Sequence, residues 1–117
     1  MELRSEDLPN GIKLIVLSGR MDIAGTQQID TQFGGLTAGA KALIAVDVSD
    51  VSFLASIGMR TLVSSARELM HRGGAMVLVN PKPIVNQALV AAGIDSLIPV
   101  CSNVDAAERE LKAAAER

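Results

Sequence analysis

Ser56 and Asp22 are the residues of this sequence whose types and positions could support chemistry. Ser56 follows the apolar pair Phe53-Leu54, and the apolar residues after it recur at helical spacing, so it is expected where a loop becomes a helix. A hydroxyl at that place can cap the free N–H groups of the helix, or it can be exposed for modification by another protein. A phosphate there would add about −1.5 to −2 charges and three acceptor oxygens. Asp22, at the end of an earlier apolar run, is expected to be the N-cap of another helix.

The apolar pattern predicts the elements that must position these two residues. Strands are predicted over residues 2–8, 12–17, 42–48, 75–79 and 97–100, with a turn at residues 9–11 between the first two. Pro99 places the last strand at an edge of the sheet. The best amphipathic helix follows Ser56, and its buried face is expected to comprise Met59, Leu62, Val63, Ala66, Leu69 and Met70.

The order of these elements, β-β-α-β-α-β-α-β-α, predicts a single α/β domain over residues 1–117. Strands that alternate with helices favour parallel pairing and right-handed crossovers, whereas the first two strands are expected to form a hairpin. We therefore expect a mixed, mostly parallel sheet of about four to five strands with about four helices. Apolar residues make up 49% of the 117, which is enough for one core.

Charge and composition narrow the classes of partner. The net charge is −2, and Phe33 and Phe53 are the only aromatic residues, so neither a nucleic-acid nor a membrane partner is expected. Cys101 is the only cysteine, which rules out an intrachain disulfide. No N-terminal run resembles a signal peptide, and no apolar segment approaches the roughly 18–20 residues that span a bilayer. A cytoplasmic location is therefore expected.

Several kinds of enzyme are also disfavoured. The glycine-rich stretch at 34–41 imitates a phosphate-binding loop, but Ala40 precedes its Lys41 and no Ser or Thr follows it. One histidine and one cysteine cannot build a usual structural zinc site. His71 lies about four helical turns from Ser56, so no Ser-His-Asp set can be placed. We expect no catalytic residue, no cofactor and no metal.

Two segments resemble those of a known family. Leu-Ser-Gly-Arg-Met-Asp at 17–22 resembles the Leu-Thr-Gly-Glu-Leu-Asp of STAS domains, specifically the bacterial anti-sigma-factor antagonists. Residues 46–58 resemble the family's Leu-(x)-Phe-Met-Asp-Ser-Ser-Gly segment, in which the first Ser is phosphorylated. A weaker match runs from Gly73-Gly74 through Asn80-Pro81 to the end of the next helix. The resemblance covers essentially the whole chain.

The resemblance implies a binding switch rather than an enzyme. In such a switch the unphosphorylated domain binds an anti-sigma factor, a histidine-kinase-like ATPase that also acts as its serine kinase. Phosphorylation then releases the partner, and a metal-dependent serine phosphatase resets the domain. By position, Ser56 is the phosphoacceptor, Asp22 is the nearby acidic residue, and Gly58 is the small residue that lets the partner approach. The expected contact surface comprises Asp22, Ser52, Ala55, Ser56, Ile57, Gly58, Met59 and Arg60.

Two departures from the family segment leave alternatives open. Ala55 stands where the family has an aspartate, and Ile57 stands where it has a second Ser or Thr. The missing carboxylate could have oriented the hydroxyl or been read by a kinase. Phosphorylation by a different kinase, slow phosphorylation and none at all therefore remain open. Two other functions are a STAS interaction module outside sigma control and a small-ligand binder that uses a crevice at the strand ends.

Overall fold

The protein is described by a computed structural model that covers residues 1–116. These residues form five strands and four α-helices, joined in the predicted order, with short 3-10 turns at Pro9–Gly11 and Ile94–Ser96. The elements are β1 Glu2–Asp7, β2 Ile12–Met21, α1 Ile23–Leu36, β3 Leu43–Leu54, α2 Ser56–His71, β4 Ala75–Val79, α3 Pro83–Ala91, β5 Val100–Cys101 and α4 Val104–Ala115.

The five strands lie side by side in the order β1-β2-β3-β4-β5. β1 and β2 pair antiparallel as a hairpin, and β2 to β5 are all parallel. The α/β fold with a mixed, mostly parallel sheet is therefore confirmed. β5 lies at an edge of the sheet, as predicted from Pro99, but it spans Val100–Cys101 and shares only Val100 with the predicted strand 97–100.

Helices cover the two faces of the sheet unequally. α1, α2 and α3 pack on one face, where Phe33, Leu62 and Leu89 join the larger group of buried apolar residues. α4 covers the other face through Ala107 and Leu111. The buried strand residues serve both faces, which explains why they are continuously apolar in sequence.

β2 and β3 are longer than their apolar cores indicate. The predicted strands 12–17 and 42–48 are too short, because pairing between the two strands continues to Met21 and Leu54. Irregular register near Ser18 and Gly19 interrupts the alternation, and Gly19 has a φ of +108° that suits a residue without Cβ. The polar residues after Val48 therefore belong to a strand rather than to a loop.

The face of α2 is largely as predicted, with one correction. Leu62, Ala66 and Leu69 are buried, and Met59 and Val63 pack partly buried against the same core. Met70 was expected in the core but is 55% exposed. It borders a hollow of about 230 Å³ that is also lined by Leu97.

Candidate functional site

The carboxyl ends of β2 and β3 bring Asp22 and Ser56 to one edge of the sheet. Met21 and Leu54 are the last pair in register, and Ala55 N donates to the Met21 carbonyl oxygen at 3.0 Å. Asp22 directly follows Met21, and Ser56 directly follows Ala55. One backbone hydrogen bond therefore ties together the starts of α1 and α2, which also pack against each other.

Asp22 is the N-cap of α1, as its position in the sequence predicts. Its Oδ1 accepts a hydrogen bond from Gly25 N at 2.8 Å, and its carbonyl oxygen accepts from Thr26 N at 2.9 Å. A Cβ at Gly25 would run into the carbonyl oxygen of Arg20, so the tight entry into α1 requires glycine there. The cap and the glycine together fix where the Asp22 carboxylate points.

The charge of Asp22 is stabilised from two sides. The hydrogen bond from the Gly25 N–H is the main cause that holds the pKa of the Asp22 carboxyl below its ordinary value, and Arg20 lowers that pKa further. Arg20 Nε lies 3.4 Å from Asp22 Oδ2. The carboxylate is therefore ionised at neutral pH and partly neutralised by a neighbouring cation.

Ser56 is the first residue of α2 and is exposed. Of the two roles considered for its hydroxyl, capping does not occur, because Ala55 holds the cap position with extended backbone angles and has no side-chain acceptor. Within the described residues, no hydrogen bond engages the Ser56 hydroxyl. The first turn of α2 thus presents N–H groups without a side-chain cap, beside a hydroxyl that is open to solvent.

Gly58 lies in the interior rather than on a surface that a partner could approach. A Cβ at this position would lie 2.7 Å from Met21 Cγ and 3.0 Å from Leu54 Cδ1. The absence of a side chain therefore lets α2 pack closely on the ends of β2 and β3. This intrachain role replaces the expected contact of Gly58 with a partner.

The other expected contact residues differ in how much surface they offer. Ser52 and Arg60 are exposed, Ala55 and Ile57 are half-buried, and Met59 packs partly against the core. Ser52 lies within β3 and not in a loop. The structure thus brings most of the expected set to one edge, with Gly58 behind it.

Arg20 and Ile23 at the same edge were not singled out from the sequence, and the exposure of Phe53 was not predicted. Phe53 is 38% exposed and Ile23 is 63% exposed, although both are large apolar residues. Arg20 stacks on Phe53, with its guanidinium carbon 4.5 Å from the ring centroid. Arg20 and Phe53 are register partners on β2 and β3. Their contact could be predicted only if the full length and the register of these strands were known.

Hollows lie both at this edge of the sheet and at the opposite one. A shallow hollow of about 310 Å³ next to Asp22 is lined by Met1, Arg20, Asp22, Ala24, Gly25 and Gln28. A larger one of about 490 Å³ lies at the opposite edge, beside the first residues of β2 and β3. In residues 1–116, no three His, Cys, Asp or Glu side chains are grouped as metal ligands would be. No helix in this part of the chain is long and apolar enough to cross a membrane.

Comparison with known proteins identifies the family. A family model described as the STAS domain matches residues 7–107. The chain is 24% identical over 111 residues to BtrV of Bordetella bronchiseptica, to which a role as an anti-sigma factor antagonist has been attributed; the match covers 95% of this chain and 96% of BtrV.

Two solved structures share the fold. An anti-sigma factor antagonist from Mycobacterium paratuberculosis has a TM-score of 0.85 at 22% identity, covering 95% of this chain and 93% of that one. SpoIIAA of Bacillus in its phosphorylated form has a TM-score of 0.70 at 21% identity, covering 92% and 98%. The resemblance inferred from the sequence motifs is confirmed. With the family model spanning most of its length, the chain belongs to the STAS domain family.

Proposed function

We propose that the chain is an anti-sigma factor antagonist, which binds an anti-sigma factor reversibly and is released when Ser56 is phosphorylated. The observation that carries the proposal is the exposed, unbonded Ser56 hydroxyl beside the ionised Asp22. The names of BtrV and of the relative from Mycobacterium paratuberculosis support the class of partner. The chain would act in the cytoplasm by association alone, without catalysing a reaction.

A phosphate on Ser56 suits the start of α2. Its oxygens could accept hydrogen bonds from N–H groups in the first helical turn, where no side chain serves as cap. The dipole of α2 favours negative charge at this end. Asp22 would repel the phosphate, but Arg20 already offsets part of that carboxylate charge. The modification should therefore leave the fold intact.

The effect of the phosphate would fall on the partner. A protein that docks on this edge must cover Ser56 together with the half-buried Ile57 and the exposed Arg60. A bulky dianion in that contact would have to be desolvated against a partner surface that fits a neutral hydroxyl. We expect a loss of roughly 2–5 kcal/mol at most, the range for a disrupted buried polar contact, which changes affinity by orders of magnitude.

The proposal predicts opposite effects for two kinds of substitution at Ser56. Ser56→Glu should weaken binding to the anti-sigma factor, because it adds charge at the centre of the contact. Ser56→Ala should bind as the parent does and should not be released by the kinase and ATP. The Ser56→Ala chain serves as bait in its own cells, and the proteins bound to it are searched for a histidine-kinase-like ATPase. That ATPase is then purified and titrated with each variant by calorimetry.

Ser64→Glu is the matched control, because Ser64 is exposed on the same helix but lies away from its first turn. It should bind as tightly as the parent. Equal affinities for the chains with Ser, Ala and Glu at position 56 would remove Ser56 from the mechanism. Capture of a kinase or phosphatase unrelated to sigma factors would assign the chain to STAS modules outside sigma control.

Phosphorylation itself can be measured by the intact mass of the chain from its own cells, with and without treatment by a metal-dependent serine phosphatase. The proposal expects a phosphatase-sensitive species that is absent from the Ser56→Ala variant. Because Ala55 and Ile57 replace residues of the family segment, the rate of phosphorylation by the purified partner is a separate readout. Persistent absence of the phosphorylated species would mean binding without a switch.

A further inference from the structure

Arg20 is an exposed cation whose side chain is held in place on two sides. Its guanidinium lies over the Phe53 ring, with 4.5 Å between the guanidinium carbon and the ring centroid. Its Nε lies 3.4 Å from Asp22 Oδ2, and the side chain remains 63% exposed. Asp22 is itself fixed as the cap of α1. A stacked and paired arginine has lost much of its rotamer freedom before any partner binds.

The contact with Asp22 leaves the outer part of the guanidinium available. Only Nε faces Asp22, and within residues 1–116 no acceptor is bonded to either Nη atom of Arg20. The two Nη groups form part of a planar fork that matches the two oxygens of a carboxylate. Because the fork is already oriented, less entropy is lost when a carboxylate binds to it.

Apolar surface lies next to this fork. Ile23 follows Asp22 and is 63% exposed, and the stacked Phe53 ring is 38% exposed. Apolar side chains around a charged contact exclude water from it, which strengthens the charged interaction. Arg60, also exposed, adds positive charge to the start of α2. A surface of this kind fits an acidic side chain with apolar neighbours.

We propose that Arg20, held over Phe53, binds a carboxylate side chain of the anti-sigma factor, while Ile23 and Phe53 contact apolar side chains beside that carboxylate. The proposal rests on the proposed function for the identity of the partner. It adds an anchor outside the set expected from the sequence, next to the phosphoacceptor but independent of its phosphate.

Calorimetric titration with the purified anti-sigma factor tests the anchor. Arg20→Gln should weaken binding by about 30-fold or more, the loss typical of an interface hot spot. Arg20→Lys keeps the charge but not the fork, so it should recover only part of the affinity. Phe53→Leu keeps apolar area but removes the stacking surface, and it should also weaken binding. Arg67→Gln is the control, since Arg67 is exposed farther along α2 and carries the same charge.

The charge of the contact has its own signature. Salt should weaken binding of the parent chain more steeply than binding of Arg20→Gln. Replacement of the contacted partner carboxylate by Lys should restore binding to Arg20→Glu. Equal affinities of Arg20→Gln and Arg67→Gln would overturn the anchor. If Ser56→Glu still weakens binding in that case, the proposed function stands without it; if no anti-sigma factor binds the parent chain, both proposals fall.

A measurement on the isolated chain tests the ordering of Arg20 without any partner. The ¹⁵N–¹H heteronuclear NOE at Nε should be higher for Arg20 than for the exposed Arg67, and Phe53→Leu should lower it. Backbone spectra of the variants would show that each remains folded. An Arg20 value no higher than that of Arg67 would contradict the preorganised anchor.

Discussion

At the scale of single residues, Asp22 has two roles that the same geometry supports. Its carboxylate fixes the start of α1 through Gly25 N, and it holds Arg20 at the edge of the proposed contact surface. Both contacts stabilise the charged form of the carboxyl, which is why its pKa is lowered. A change at this residue should therefore affect stability as well as binding.

The lowered pKa of Asp22 predicts a pH dependence that Asp22→Asn should remove. A carboxyl whose pKa is lower in the folded than in the unfolded chain stabilises the fold above about pH 4, and this stabilisation is lost as the pH falls through the folded-state pKa. Asparagine keeps a capping oxygen but has no proton to titrate. Urea denaturation at a series of pH values should show the stability difference between parent and variant shrinking in acid.

Asp30→Asn provides the comparison for this experiment, because Asp30 is an exposed carboxyl in the middle of the same helix. If the difference in the free energy of unfolding between the parent and Asp22→Asn is the same at acid and neutral pH, then the Gly25 N–H and Arg20 do not stabilise the charge of Asp22.

The sequence placed Ser56 and Asp22 correctly at the starts of two helices, but it could not predict which side chains surround them. The capping role of Asp22 follows from local spacing and is confirmed. Ser56 lies one residue too late to be a cap, and helix boundaries are uncertain by about this much from sequence alone. The stacking of Arg20 on Phe53 depends on a register between distant strands, which no local pattern contains.

At the scale of elements, the close approach of α2 to the strand ends depends on Gly58. Met21 and Leu54 occupy the space that a Cβ would need. The helix therefore begins at a fixed distance from β2 and β3, and this spacing presents Ser56 beside Asp22.

Gly58→Ala should be destabilising even though alanine favours a helix. The gain in helix propensity is about 1 kcal/mol, whereas overpacking against Met21 and Leu54 typically costs about 1–3 kcal/mol. We expect a net loss of roughly 1 kcal/mol in the free energy of unfolding, measured by urea denaturation. Gly34→Ala is the matched change in α1, where a Cβ would meet nothing, and it should stabilise by about 0.5–1 kcal/mol. A stabilised Gly58→Ala would show that α2 does not need this glycine.

The lengths of β2 and β3 show what the sequence could and could not predict for the elements. Order, type and hairpin pairing follow from apolar period and turn residues, and they are confirmed. The carboxyl end of β3 does not follow, because Ser49, Asp50 and Ser52 resemble loop residues until their place in a ladder is known. In the structure Asp47 Oδ1 accepts bonds from Ser49 N and Oγ, so these polar groups are paired within the strand.

At the scale of the whole molecule, the proposed switch leaves the scaffold unchanged. The edge that carries Ser56 is formed by the ends of β2 and β3 and the starts of α1 and α2, whereas α4 packs on the opposite face of the sheet. A charge added at the exposed Ser56 touches neither group of buried apolar residues.

Ser56→Glu should therefore keep the free energy of unfolding within about 0.5 kcal/mol of the parent, as is usual for exposed positions. Amide chemical shifts should change near the starts of α1 and α2 and stay constant in α4. Widespread shift changes, or a large loss of stability, would mean that the substitution acts by unfolding and not at the docking surface.

β2 and β3 stay paired well past Asp47 and Val79, where β3 separates from β4. At Arg20 and Phe53 only β2 and β3 form the sheet, and the starts of α1 and α2 pack against this end. Substitutions at the exposed positions of this end would therefore change the docking surface and leave the two groups of buried apolar residues in place. Such a division lets the recognised partner diverge while the same scaffold is kept.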